Sequence, residues 1–227
     1  IVNNLAKAHY RWGHAPNSVI RMPSGGGVGA GPYHSQSTEA WFTHVPGLKV
    51  VYPSNPIDAK GLLLAAFEDP NPVLYFEHKA LYRYTSAEVP NGYYTTEIGK
   101  AEIVCSGIAL SIITYGAAVN WAKRLADSSE CEIEVLDLRS LSPIDYEAIV
   151  ATVKKTNRVI VLQEDSMFGG IAGDISAYIS EHLFEYLDAP VIRVASLDTP
   201  IPFNKSLENQ YLPIDRLKEK VEYILKY

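Results

Sequence analysis

ALSIITY, Ala109–Tyr115, then the alanine-rich Ala117–Ala126, then IEVLDL, Ile133–Leu138, is the stretch that decides the fold. Two short apolar runs flank a segment with apolar residues at helical spacing, which reads as strand, helix, strand. The pattern continues downstream with a helix over Tyr146–Lys154, RVIVL at Arg158–Leu162 and a long helix over Ile171–Leu187. A strand at Val191–Ala195 and a closing helix over Ile214–Leu225 complete it. Strands apolar at nearly every position are buried on both faces, so the alternation predicts an α/β fold with a mainly parallel sheet and helices on both sides.

Upstream the same alternation is less regular. A helix-like start over 1–12 ends at Gly13, and SVIRM, Ser18–Met22, reads as a strand. A glycine cluster, Gly25–Gly31, follows and is closed by Pro32. Ser37–Val45 reads as a short helix, LKVVY, Leu48–Tyr52, as a buried strand, and Val73–Phe76 as another. The helix between those strands has the clearest start signal, with Asn55 to cap it, Pro56 in its first turn and Asp58 near the positive end of its dipole. From Lys79 to Lys100 the periodicity lapses into a connector with Pro90, Asn91-Gly92 and closely spaced tyrosines. The expected division is 1–84, a connector over 85–100, and 101–227. The chain opens at Ile1 inside a helical pattern, so a piece of a longer protein is expected.

Composition narrows the function. With 47% apolar and 11% aromatic residues the 227-residue chain can build a core and is not a disordered polymer. A formal net charge of -6 argues against nucleic acid, which needs clustered Lys and Arg. No window approaches the ~20 apolar residues that cross a bilayer, so no membrane partner is expected. Two cysteines, Cys105 and Cys131, exclude a disulfide framework and read as buried apolar residues.

Several residues are candidates for chemistry. The glycine cluster matches a dinucleotide fingerprint poorly, since Pro32 stands where the phosphate-binding helix should begin. So dense a run is expected to pack against a ligand or a partner chain. His34 follows it directly, on a loop beyond a strand, where open α/β sheets place ligands, and an imidazole can move protons near neutrality. Glu164-Asp165-Ser166 before Gly169-Gly170 reads as a strand-to-helix turn at an interface, with an anion site as the alternative. His9, His14, His44, His78 and His182 lack metal-ligand spacing and read as structural or exposed.

Tyr33-His34-Ser35-Gln36-Ser37, with Glu39-Ala40-Trp41-Phe42 and Pro46-Gly47-Leu48-Lys49-Val50-Val51, closely resembles the β-subunit of the thiamine-diphosphate-dependent 2-oxo acid dehydrogenases. The resemblance continues through Asp69-x-Asn71-Pro72-Val73, Phe76-Glu77-His78-Lys79, Asp137-Leu138-Arg139-Ser140, Phe168-Gly169-Gly170 and Asp198-Thr199-Pro200. It covers nearly the whole chain.

The resemblance implies the latter part of a pyrimidine-binding domain followed by a transketolase C-terminal-like domain. It implies oxidative decarboxylation of a 2-oxo acid with acyl transfer to a lipoyl group, with thiamine diphosphate and magnesium as cofactors. His34 matches the family's active-site histidine, while the glutamate that activates the cofactor is expected upstream of Ile1. Asp69 and Asn71 match a potassium site of some members; the plainer alternative is a helix end and a turn. The implied partners are an α-subunit or α-half, a second β-part in a heterotetramer, and a lipoyl-bearing acyltransferase core. The Phe168-Gly169-Gly170 turn and its following helix are expected in the β–β contact, and the compartment implied is the bacterial cytoplasm or the mitochondrial matrix. Two rivals remain: a transketolase-like thiamine enzyme, and a non-catalytic dimerisation or core-docking module.

Overall fold

A computed structural model describes all residues, Ile1–Tyr227, and folds them around two sheets. In the first sheet β1 (Ser18–Ser24), β2 (Lys49–Val51) and β3 (Pro72–His78) run parallel, with β3 in the middle. All seven residues of β3 are buried because strands flank it on both sides and helices cover it. The helices of this half are α1 (Ala8–Trp12), α2 (Gly31–His34), α3 (Glu39–Thr43), α4 (Pro56–Glu68) and α5 (Leu81–Tyr84). The expected start signal of α4 holds: Asp58 N donates to the Asn55 side chain at 2.9 Å, and Pro56 opens the helix. Leu62 and Ala66 then pack on Val51, Val73 and Tyr75.

The second half contains β4 (Glu102–Cys105), β5 (Leu110–Thr114), β6 (Ile133–Asp137), β7 (Ser140–Ser142), β8 (Val159–Ser166) and β9 (Ile192–Ser196). Its sheet has the order β4-β6-β5-β8-β9 and is parallel except for the β4–β6 pair. Around it lie α6 (Ala117–Ser128), α7 (Tyr146–Thr156), α8 (Ala172–His182), α9 (Lys205–Tyr211) and α10 (Ile214–Ile224). The long helix expected to Leu187 stops earlier. Asn157 holds the chain there, donating to Tyr186 O at 2.7 Å and accepting from Asp188 N at 2.8 Å, so Phe184–Tyr186 tightens into a 3-10 turn. Residues 85–101 form no helix or strand, and they lie along α4: Lys60 donates to Pro90 O and Gly92 O, and Tyr94 to Ile57 O.

The halves are more closely joined than two blocks and a connector. β7 leaves its own sheet and pairs antiparallel with β2, as the fourth strand of the first sheet. Tyr52 N donates to Arg139 O at 2.8 Å, and Ser54 Oγ to Asp137 Oδ2 at 2.5 Å. One apolar core runs through both halves, with Val50, Leu74 and Phe76 against Ile113, Leu136 and Val161. Continuous burial of this kind aligns the loops at the ends of the two sheets. No helix is long and apolar enough to cross a membrane.

Candidate active-site loop

β1 runs into the glycine loop, and the loop into α2, whose last residue is His34. Gly25, Gly27, Gly29 and Gly31 all have positive φ, between 66° and 93°, a backbone region that side chains with a Cβ rarely adopt. The segment closes on itself where Gly25 N donates to Gln36 O at 3.2 Å and Ala30 N to Ser35 Oγ at 3.2 Å. His34 is exposed, and its ring makes no hydrogen bond within the chain. It is an imidazole at the end of a sheet, held by backbone alone and open to whatever faces that edge.

The glycine loop has an occupant from the same chain. Gly26 N donates to Glu164 Oε1 at 2.6 Å, Gly27 N to Glu208 Oε1 at 2.9 Å, and Gly29 N to Glu208 Oε2 at 3.0 Å. Successive N–H groups turned to one side form an anion-binding concavity. The ligand or partner expected at this loop is therefore replaced, on its inner side, by two carboxylates of the second half. The anion-site alternative at Glu164-Asp165-Ser166 inverts for the same reason: Glu164 is itself the anion.

Beneath the loop lies a buried polar seam. His78 Nε2 meets Glu164 Oε2 at 2.6 Å, with both side chains out of solvent, so His78 is structural as expected. Burial pushes the Glu164 pKa up, but His78, the Gly26 N–H and Ser37 outweigh it and hold it below the ordinary value. Glu39 is fully buried; Tyr115 donates to its Oε1 at 2.8 Å, and its Oε2 has no partner. Burial and the nearby Asp165 raise its pKa to about 8, which keeps a proton on it at neutrality. Burial first, then Glu164 and Asp198, lift Asp165 to about 6. Sequence reading placed Glu39 in a family run but assigned it no role; Glu208 carried no signal at all.

The other expected site residues fall elsewhere. Asp69 and Asn71 do come together, with Asn71 N donating to Asp69 Oδ1 at 2.9 Å and Nδ2 at 3.0 Å. The second oxygen of Asp69, however, carries the Lys49 ammonium. The Asp69 carbonyl in turn accepts from Asn17 Nδ2 at 3.0 Å, so the helix end and the turn are tied to the start of β1. No group of three or more His, Cys, Asp or Glu converges as a metal site. Cys105 and Cys131 are free and only partly buried, and burial raises the Cys105 thiol pKa.

The Phe168-Gly169-Gly170 turn divides between surface and core. Phe168 is 89% exposed, but Ile171 is 4% exposed and belongs to the core. A methyl group on Gly170 would overlap the Gln163 side chain, so that glycine serves packing inside the chain.

Two domain families match the chain in succession. Residues 4–85 match the transketolase pyrimidine-binding domain and residues 99–216 the transketolase C-terminal domain. The chain is 44% identical over 200 residues to the 2-oxoisovalerate dehydrogenase subunit beta of Pseudomonas aeruginosa, covering 81% of this chain and 57% of that one. It is 44% identical over 218 residues to the pyruvate dehydrogenase E1 component subunit beta of Bacillus subtilis, covering 94% of this chain and 67% of that one. Among solved structures, a split gene transketolase described as an inactive beta4 tetramer superposes with a TM-score of 0.70. At 24% identity over 92% of this chain and 66% of that one, the likeness is one of fold.

Proposed function

This chain belongs to the β-subunits of the 2-oxo acid dehydrogenases, and from that membership we propose that it is the β-part of a component that decarboxylates a 2-oxo acid and passes the acyl group to a lipoyl arm. The observation that supports this most directly is His34, exposed, its ring free of internal hydrogen bonds and set just beyond the glycine loop that follows β1 in the pyrimidine-binding half.

Thiamine diphosphate, when bound, supplies the nucleophilic carbon that makes loss of carbon dioxide from a 2-oxo acid accessible. The residues present fit one end of it. The glycine N–H groups are committed to Glu164 and Glu208, so this loop does not cradle the diphosphate. Magnesium and the diphosphate fall to the α-part. His34 is the group this chain contributes: its ring nitrogens hold or release a proton near neutrality and steady negative charge beside the reacting carbon.

The partners that fit this reading are an α-part facing His34, a second β-part meeting the exposed Phe168 face, and a lipoyl-bearing acyltransferase core, in a bacterial cytoplasm or mitochondrial matrix. The substrate to test first is the branched 2-oxoisovalerate, with pyruvate beside it. The chain spans about 57% of the Pseudomonas relative, so the assay uses the whole protein assembled with its α-part. Release of carbon dioxide coupled to lipoyl acylation is expected with one of the two acids. An intact, cofactor-loaded assembly that turns over neither would reject the proposal.

A further inference from the structure

We propose that Glu208 is a positioning residue for His34, a carboxylate of the C-terminal half that fixes the glycine loop and so sets where the imidazole stands. The inference rests on the role given to His34 above.

The loop has no packed side chain of its own, only the closing bonds from Gly25 N to Gln36 O and from Ala30 N to Ser35 Oγ. Between Gly25 and Gly31 the largest side chain is Val28, which is exposed, so packing cannot anchor the segment. Glycine also has the most backbone freedom to lose on ordering. The stretch between those bonds is ordered by hydrogen bonding from outside. Glu208, on α9, accepts from Gly27 N and from Gly29 N with both of its oxygens. It is 1% exposed and makes no salt bridge, so these N–H groups are its only compensation for leaving water. Phe203, a little upstream, lies over Gly31, where a methyl group would overlap its ring.

Three residues after Gly31 comes His34, which makes no hydrogen bond of its own. Its position is inherited from the backbone, and the backbone is set by Glu208 together with Glu164. Glu164 also serves His78 and Ser37, whereas Glu208 serves the loop alone. That makes Glu208 the group whose loss should move His34 with the least disturbance elsewhere.

The test uses the assembled enzyme with three variants: Glu208→Gln, His34→Ala and the pair. A misplacement of about 1 Å costs up to ~10²-fold in rate, so Glu208→Gln should lower kcat for lipoyl acylation ~10- to 100-fold with KM for the 2-oxo acid nearly unchanged. In the His34→Ala background the same change should cost less than ~2-fold, because its effect passes through the imidazole. Hydrogen exchange at the amides of Gly26–His34 should speed up in Glu208→Gln while β3 and β8 stay protected. Gly27→Ala, which strains the loop from its own side, should reproduce the kinetic loss. Wild-type kcat in Glu208→Gln, an undiminished cost in the His34→Ala background, or unchanged exchange in the loop would each overturn the inference. Wild-type enzyme that cannot acylate a lipoyl group would instead overturn the functional reading, and this role with it.

Discussion

Replacing Glu39 by glutamine should make the protein more stable in alkali and leave it unaltered in mild acid. Glu39 is fully buried, has one partner in Tyr115, and keeps its proton to about pH 8 where an ordinary glutamate loses it near 4.5. The folded pKa lies above the unfolded one, so between these values the folded state holds a proton that the unfolded state has released. The contribution of Glu39 to stability is therefore greatest below pH 4.5 and falls as pH rises toward 8, by about 1.4 kcal/mol per pH unit, or about 5 kcal/mol in all. Relaxation and water entry raise the effective dielectric around the ionised group, which leaves about 2–3 kcal/mol to observe. Glutamine has the same shape, keeps the oxygen that Tyr115 bonds and does not titrate. Its amide stands where the unpartnered Oε2 stood, so at low pH the two proteins should match. Urea unfolding followed by tryptophan fluorescence at pH 5 and pH 8.5 measures the difference, and infrared spectra should show a protonated carboxyl band lost in Glu39→Gln. Parallel pH profiles for the two proteins would refute the reasoning.

His34→Ala in the assembled enzyme should slow lipoyl acylation by ~10²-fold with unchanged circular dichroism, and wild-type transfer would remove the residue from the mechanism. His78→Leu leaves Glu164 buried beside an apolar side chain and should cost about 3–5 kcal/mol at pH 7, read as a lower thermal midpoint. Glu164 has a depressed folded pKa, so its stabilising effect is present above the ordinary value near 4.5 and lost as pH falls below it; in His78→Leu, where burial is no longer offset by His78, that acid loss should disappear. Phe168→Glu should weaken association of β-parts in sedimentation without changing the thermal midpoint, since the ring touches little of its own chain, and an unchanged assembly would take this surface out of the contact.

The parts of the fold legible in sequence were those with local signals. α4 announced itself through Asn55 and Pro56, and β5, β6 and β8 through short, mainly apolar runs, because each signal lies within a few residues of what it specifies. β4 escaped because it is an edge strand with Glu102 and Ile103 exposed, so it has neither alternation nor a full apolar run. α9 is seven residues long with two buried, Glu208 and Tyr211, too few to set a period. His34 could be found from the glycine run before it and the family motif around it. Its supports could not: the contacts that hold the loop join residues 138 to 181 positions apart, and such pairs leave no trace in any window of sequence.

β2 finds its outer neighbour only at Ser140–Ser142, with Val50 opposite Ser142. During synthesis the ribosome delivers β1, β2 and β3 well before that partner exists. The nascent first half must therefore wait, with one flank of β2 unsatisfied and apolar residues such as Val50 and Phe76 lacking their cover from Ile113 and Val161. Pairings between distant segments form slowly, and chains waiting for them expose surface that invites misassociation. The demand this places on the cell is for holding capacity over the time needed to translate about sixty more residues, so yield on overexpression should depend on chaperone supply and on translation speed through the stretch between β3 and β7.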